Sequence, residues 1–159
     1  MNSKQAQKSI TLLIGPPNAG KSTWLKSSLK EEEVISRDNT MVCLYPEMTY
    51  NESWKVQDSN LVDRTIRKQY NDAIEKGLNI VVDMTNMSRK SRNKWLNALP
   101  KEYKRIAKVF MVDLEVLLQR NRERASNEGK FIPEQVICDM CKSFDCPTLG
   151  EFDAIEYIF

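Results

Sequence analysis

Gly15-Pro16-Pro17-Asn18-Ala19-Gly20-Lys21-Ser22 matches G-x-x-x-x-G-K-[ST] in full. Each fixed position has a chemical reason. Glycines at 15 and 20 let the backbone turn tightly, so that successive N–H groups converge on phosphate oxygens. The helix that comes next adds its positive N-terminal dipole. The Lys21 ammonium suits β- and γ-phosphate oxygens, and the Ser22 hydroxyl suits Mg²⁺. Pro16, Pro17, Asn18, Ala19 and Thr23 complete the stretch that would touch a nucleoside triphosphate.

Three further groups suit an acceptor and a clamp. Asp38 follows the short apolar run Val34-Ile35 and could take the hydrogen bond of an acceptor hydroxyl. A helix N-cap or turn role fits it equally. Asp83 ends the run Ile80-Val81-Val82. It reads either as an acid beside Mg²⁺ or as a brace for the Thr85-Asn86 turn. Arg120 and Arg124 are four apart and share a helix face, whereas Arg122 points elsewhere. Together they read as a lid over the triphosphate, or as a solvated charged face offset by Glu123.

The positioning elements follow from periodicity. Short apolar runs alternate with amphipathic stretches, the pattern of βαβ units around a parallel sheet. Strands are expected at residues 10–14, 34–36, 80–83, 106–112 and, more loosely, 152–159. Helices are expected at 21–30, at 57–76 and at 114–126. The second has a face of Leu61, Ile66, Tyr70, Ala73 and Ile74, and stops at Gly77. Ser88 reads as the N-cap of a helix holding Trp95, Leu96 and Leu99, ended by Pro100. Pro133 reads as the first residue of another. Residues 39–56 mix aromatic and polar types and read as an irregular insert near the active edge. The expected fold is α/β: a P-loop kinase fold with a mostly parallel central sheet, helices on both faces and a short arginine-bearing lid at about 120–132.

Composition excludes several classes. The chain has 159 residues, enough for a single domain spanning 1–159. Its 24 Lys+Arg nearly balance 22 Asp+Glu, so it is not a charged tail protein. With no histidine, His-based acid–base catalysis, metal ligation and phosphotransfer are excluded. Cys138, Cys141 and Cys146 lie in or beside a helical stretch, with only the remote Cys43 as a fourth, so helix-packed thiols fit better than zinc. No apolar run approaches the roughly 18 residues of a membrane span, and the polar start at residues 1–5 has no signal-peptide core. A cytoplasmic location with no membrane partner is expected. Monomer and homo-oligomer are both compatible with the sequence.

The ordered motifs resemble the polynucleotide 5′-hydroxyl kinase family, the kinase domains of phage and bacterial end-healing enzymes. The resemblance rests on GPPNAGKSTW from Gly15, Ile35-Ser36-Arg37-Asp38, Val82-Asp83-Met84-Thr85-Asn86, Gln119-Arg120-Asn121-Arg122-Glu123-Arg124, and the stretch from Cys146-Pro147-Thr148-Leu149 to Ile155. It implies ATP and Mg²⁺ at Lys21 and Ser22, and Asp38 as general base for a DNA or RNA 5′-hydroxyl end. Arg124 would be the lid arginine, with Arg120 beside it, and Arg37 and Asp83 would stand on the acceptor side. No phosphatase or ligase domain is expected. The family places an acceptor-phosphate arginine three residues after the base, where this chain has Met41. Arg37, Arg64, Arg89 or Arg92 could compensate. Tyr45, Tyr50 and Trp54 could stack on an acceptor base or simply pack. Two rival readings use the same residues: a P-loop kinase of a small hydroxylated molecule, and a nucleotide-ordered binding module without transfer.

Overall fold

A computed structural model describes residues 6–159; the polar start at residues 1–5 lies outside the described residues. Five strands form one sheet in the order β2-β3-β1-β4-β5, and every pairing is parallel. They are β1 (Ser9–Ile14), β2 (Glu33–Ser36), β3 (Ile80–Asp83), β4 (Lys104–Phe110) and β5 (Ala154–Ile158). The helices are α1 (Lys21–Ser28), α2 (Arg37–Leu44), α3 (Tyr50–Val56), α4 (Ser59–Glu75), α5 (Arg89–Leu96), α6 (Leu114–Glu128) and α7 (Glu134–Lys142). This is the α/β arrangement of P-loop kinases. Among the described residues no helix is long and apolar enough to cross a membrane.

Strand β1 is apolar without alternation because both of its faces are covered. Ile10, Leu12 and Ile14 point into a core with Val62, Ile66 and Tyr70 of α4 and Trp95 and Leu96 of α5. Leu13 faces the opposite core with Leu117 of α6 and Ile137 of α7, against which Trp24 and Leu25 of α1 pack. Truncating one of these buried aliphatic side chains to alanine would cost about 2–5 kcal/mol.

Several elements differ from the sequence-based expectations. Residues 39–56 are largely helical. Ser36 caps α2 by accepting from the Asn39 N–H, and Thr49 with Glu52 forms a capping box that starts α3. The long helix begins after Asp58, whose carboxylate accepts from the N–H groups of Asn60 and Leu61. Of its expected face Ile66, Tyr70 and Ala73 are buried, with Val62 in place of Leu61, which is 39% exposed. The fourth strand ends at Phe110 rather than residue 112, and Pro133 is the N-cap of α7 rather than its first residue. The segment expected as a lid, about 120–132, is the C-terminal half of α6 and its exit loop, on the helix that the sequence placed there. All four cysteines are free thiols, with Cys138 and Cys141 half-buried on α7.

Arg92 is the largest departure. Considered as a cation for an acceptor phosphate, it is fully buried and paired with the buried Glu151. Its Nε donates to Glu151 Oε1 at 2.9 Å, and its Nη1 donates to the carbonyls of Asn86, Met87 and Asp145. Burial pushes the Glu151 carboxyl up, but the Arg92 hydrogen bond and the Thr148 N–H outweigh it and hold the group below its ordinary value. Arg92 staples α5 to the segment before β5 and, fully buried, does not reach an acceptor phosphate.

Candidate active site

Parallel register gathers the candidate residues at one sheet edge. Asp83 pairs with Leu13 of β1 on one side and with Ser36 of β2 on the other. The phosphate loop leaves β1 just beyond Leu13, and Asp38 stands two residues past Ser36 in the first turn of α2. The carboxyl ends of the strands therefore bring Lys21, Asp38 and Asp83 to one cleft of about 1420 Å³, where ligands of open α/β sheets bind. Ser36 provides the N-cap of α2, so Asp38 is exposed and not used as a cap.

The loop has the conformation its residues require. Gly20 has φ +98°, a left-handed conformation that L side chains rarely adopt, and it precedes α1 without any side-chain cap. The first N–H groups of α1 thus face the cleft mouth without a capping oxygen. A Cβ at Gly15 would come within 3.1 Å of Phe110 Cβ and 3.2 Å of Ala19 Cβ. Neighbouring residues hold the loop in place. The Gly15 N–H donates to the Thr85 carbonyl at 3.0 Å, and buried Asn86, at φ +47°, donates from Nδ2 to the Leu13 carbonyl at 2.8 Å. Asn86 is thus the brace of the turn after β3, which leaves the Asp83 carboxylate to the cleft.

The electrostatics couple these groups. Lys21 Nζ donates to the carbonyls of Gly15 at 2.5 Å and Pro16 at 3.2 Å. Burial lowers its pKa to about 8, against the upward pull of Asp83 and Asp38. Burial raises the Asp83 carboxyl; Lys21 lowers it and Asp38 adds to the rise. A half-buried carboxylate in that state is short of counter-charge.

Arg120 and Arg124 touch the loop directly. Arg120 Nη1 donates to the Asn18 carbonyl at 2.9 Å, and Arg124 Nη1 to Asn18 Oδ1 at 2.6 Å. Asn18, at φ +70°, presents both acceptors. Arg122 instead pairs with Glu134, as its different helix face requires. Buried Asn121 clasps Ile132 through both its amide atoms, which fixes the exit of α6. Just after α6, Lys130 Nζ lies 3.9 Å from Asp38 Oδ2 and 4.5 Å from the Tyr50 ring centroid. Asn51 donates to the Gly129 carbonyl at 2.9 Å, tying α3 to that exit loop.

The other candidates fall differently. Met41 is 2% exposed within the core under α2, so no cation at that position could reach the cleft. Arg37 lines the cleft, yet its guanidinium is held by Asp63 at 2.7 Å and Gln57 at 2.9 Å, over the Trp54 ring. Arg64 bonds the Asn60 carbonyl on α4, and Arg89 is exposed on α5. Tyr45 offers no base platform; its hydroxyl accepts from the Asp58 N–H. Sequence reasoning gave no role to Lys130 or Asn51, and placed Asn86 in the turn after β3 without seeing that its side chain is the brace. The one local signal was Gly129, a helix stop that turns the next residue back toward the cleft.

A family model described as an AAA domain matches residues 10–147. The chain belongs to this AAA-domain family. The chain is 23% identical, over 98% of its length, to the transcription factor bHLH140 of Arabidopsis thaliana, of which it spans 16%. A chain of the Pnkp1/Rnl/Hen1 RNA repair complex superposes with TM-score 0.70 at 20% identity, covering 89% of this chain and 45% of that one. A sugar kinase from Janibacter sp. superposes with TM-score 0.65 at 14% identity, covering 95% and 84%. At these identities the likeness is one of fold. The AAA domain thus shares its architecture with both, and the chain spans less than half the length of the first two proteins.

Proposed function

We propose that this domain transfers the γ-phosphate of ATP to the 5′-hydroxyl of a DNA or RNA end. The observation that carries the reading is an exposed carboxylate, Asp38, facing the loop lysine and the lid segment across one cleft. A module that only binds nucleotide has no need of such a group opposite Lys21, whereas transfer needs one to orient the attacking oxygen.

In this reading the loop N–H groups and Lys21 hold the β- and γ-phosphates, and Arg120 and Arg124 exchange Asn18 for phosphate oxygens. Asp38 accepts the proton of the acceptor hydroxyl. That oxygen forms a bond to the γ-phosphorus as the bond from the bridging β–γ oxygen breaks, and ADP leaves with the electron pair. The chain has no histidine, and no activated nucleophile stands in the cleft, so the transfer is direct and in line. Mg²⁺ fits the residues present: the Ser22 hydroxyl in the first turn of α1 and the under-compensated Asp83 carboxylate are the few hard oxygen donors that ion takes beside phosphates and water. When bound, it neutralises charge on the transferring phosphoryl group. Such a protein would work in the cytoplasm on nucleic-acid ends.

The test is transfer of labelled γ-phosphate from ATP/Mg²⁺ to a 5′-hydroxyl oligonucleotide. Labelled 5′ ends, abolished by Lys21→Ala and by Asp38→Asn, are the expected result. Normal ATP binding without transfer to any oligonucleotide would remove the reading. The small-molecule alternative has one observation in its favour, the burial of Met41, and predicts transfer to a free nucleoside or sugar instead.

A further inference from the structure

Cations collect on the outer face of α4 and α5, the two helices that pack on the sheet face opposite α1, α6 and α7. No acidic residue stands between Met84 and Lys101, a stretch that holds Arg89, Lys90 and Lys94. These three and Arg64 of α4 are exposed, and among the described residues none of the four forms an ion pair. Nearby carboxylates of α4 are taken, Asp63 by Arg37 and Asp72 by Lys68. The whole chain carries only +2, so four uncompensated charges on one face are a local excess.

That excess works against the fold. Arg89 and Lys90 occupy the first turn of α5, which has no acid, and so face the positive end of the helix dipole. The surface is nevertheless rigid. Buried Arg92 pins α5 from beneath, and the Arg89 N–H donates to Asp145 Oδ2 at 3.0 Å. Arg67 joins α4 to α5: its Nη1 donates to the Lys94 carbonyl at 3.1 Å, and its guanidinium lies 5.5 and 5.2 Å from the ring centroids of Tyr70 and Trp95. Unfavourable charges on a stiff support are a local rule broken in the way functional surfaces break it. The place also matters. Asp83, Met84 and Thr85 line the cleft, and α5 starts just after them, then runs toward the start of β4 at the opposite sheet edge. Its cations therefore lead away from the cleft mouth, with Lys90 and Lys94 one turn apart on one side of the helix.

With the occupant chosen on the kinase reading, we propose that Arg64, Arg89, Lys90 and Lys94 form a docking surface, outside the cleft, for the sugar–phosphate backbone of a nucleic-acid strand whose end lies in the cleft. A row of cations suits repeated phosphates and reads no sequence. Asn93 and Asn97, beside them on α5 and its cap, add neutral donors for phosphate and sugar oxygens. A small hydroxylated acceptor would not extend past the cleft mouth and gives these charges nothing to bind.

The experiment is a binding titration across a range of salt concentrations, with ADP/Mg²⁺ present so that no transfer occurs. The probes are a 5′-hydroxyl thymidine trinucleotide and a 5′-hydroxyl thymidine 20-mer. Four added phosphate contacts, at roughly 0.7 each, should make the slope of log K against log salt steeper by about 3 for the 20-mer. Extra registers on the longer strand raise affinity without changing the slope, so the slope decides. Lys90→Gln/Lys94→Gln should remove about 1.4 of that difference, with ADP and trinucleotide binding unchanged, and Lys90→Arg/Lys94→Arg should keep it. Equal slopes for the two probes, or a Lys90→Gln/Lys94→Gln slope equal to the wild type, would overturn the surface. Poly-glutamate that displaces the 20-mer as well as unlabelled 20-mer does would overturn the nucleic-acid assignment in favour of an acidic protein. The two proposals fail separately. Phosphorylation of the 20-mer with a KM unmoved by Lys90→Gln/Lys94→Gln at every salt concentration sinks the surface alone. The expected slopes, without phosphorylation of either probe, support the surface and sink the kinase reading.

Discussion

Raising the pH through 8 should weaken nucleotide binding by a route that can be counted in protons. Burial brings the Lys21 ammonium from its ordinary 10.5 down to about 8, although Asp83 and Asp38 pull it upward. Phosphates placed on the loop add negative charge beside Nζ and raise the value again. Below pH 8 the free protein already carries the charge, so binding takes up almost no proton. Above it, the free protein is neutral at Lys21 and the complex is protonated. Each complex then takes up a proton, and Kd rises toward tenfold per pH unit. Between pH 7 and 9 the loss should be about tenfold, and the ceiling, if the full shift is recovered, is about 3 kcal/mol. The phosphates themselves titrate lower, near about pH 6, and do not interfere.

Isothermal calorimetry of ADP/Mg²⁺ binding, in two buffers of different ionisation enthalpy, measures both quantities. Proton uptake should climb from about 0.1 at pH 7 to about 0.9 at pH 9. Lys21→Met should bind weakly at every pH with no uptake in this range. A flat Kd and zero uptake between pH 7.5 and 9.5 in the wild type would show that the lysine stays charged, and that burial beneath the loop does not outweigh the two carboxylates.

Glu151→Gln should destabilise the fold by about 3–5 kcal/mol in urea, because it strands the buried Arg92 without its counter-ion, while an Arg92→Met/Glu151→Leu pair recovers most of the loss. Since the Glu151 carboxyl is held below its ordinary value, its contribution is present above about pH 4.5 and disappears as pH falls through the lower folded value, a component that Glu151→Gln should lack. At the lid, Arg124→Ala should slow single-turnover transfer by about a thousandfold or more. Asn18→Gly removes the docking acceptor for Arg124 without straining the left-handed backbone there, and should cost less than about tenfold in the same assay.

The phosphate loop and the sheet were legible because their signals are local. Gly20 is dictated by its own φ, and buried parallel strands are runs such as Ile80-Val81-Val82 that need no partner to be recognised. Helix α2 was missed because only Thr40 and Met41 of its eight residues are buried, which leaves almost no periodicity to read. The capping box of α3 was visible as Thr49-x-x-Glu52, but the helix it starts is polar and aromatic and carries no apolar stripe. Leu61 was misassigned because it adjoins Val62, and only Val62, four residues before Ile66, continues the buried stripe of Ile66, Tyr70 and Ala73. Arg92 illustrates what no local pattern holds: its partner Glu151 is 59 residues away, and beside Arg89, Lys90 and Lys94 it reads as surface.

The same limit applied to the acceptor side, and its resolution changes how the site is understood. A cation at position 41 would have to be buried under α2, whereas Lys130 reaches the cleft from a loop with solvent access. Arg120, Arg124 and Lys130 then all belong to α6 and its exit, one segment anchored by Leu117 in the core and by Asn121 at Ile132. The first two meet the phosphate loop through Asn18, and the third meets Asp38. The contacts to the phosphate loop and to Asp38 thus come from a single element rather than from two independent ones. Displacing α6 by an ångström would disturb both charges at once, so substitutions at its anchors, such as Asn121, should raise the KM for donor and acceptor together.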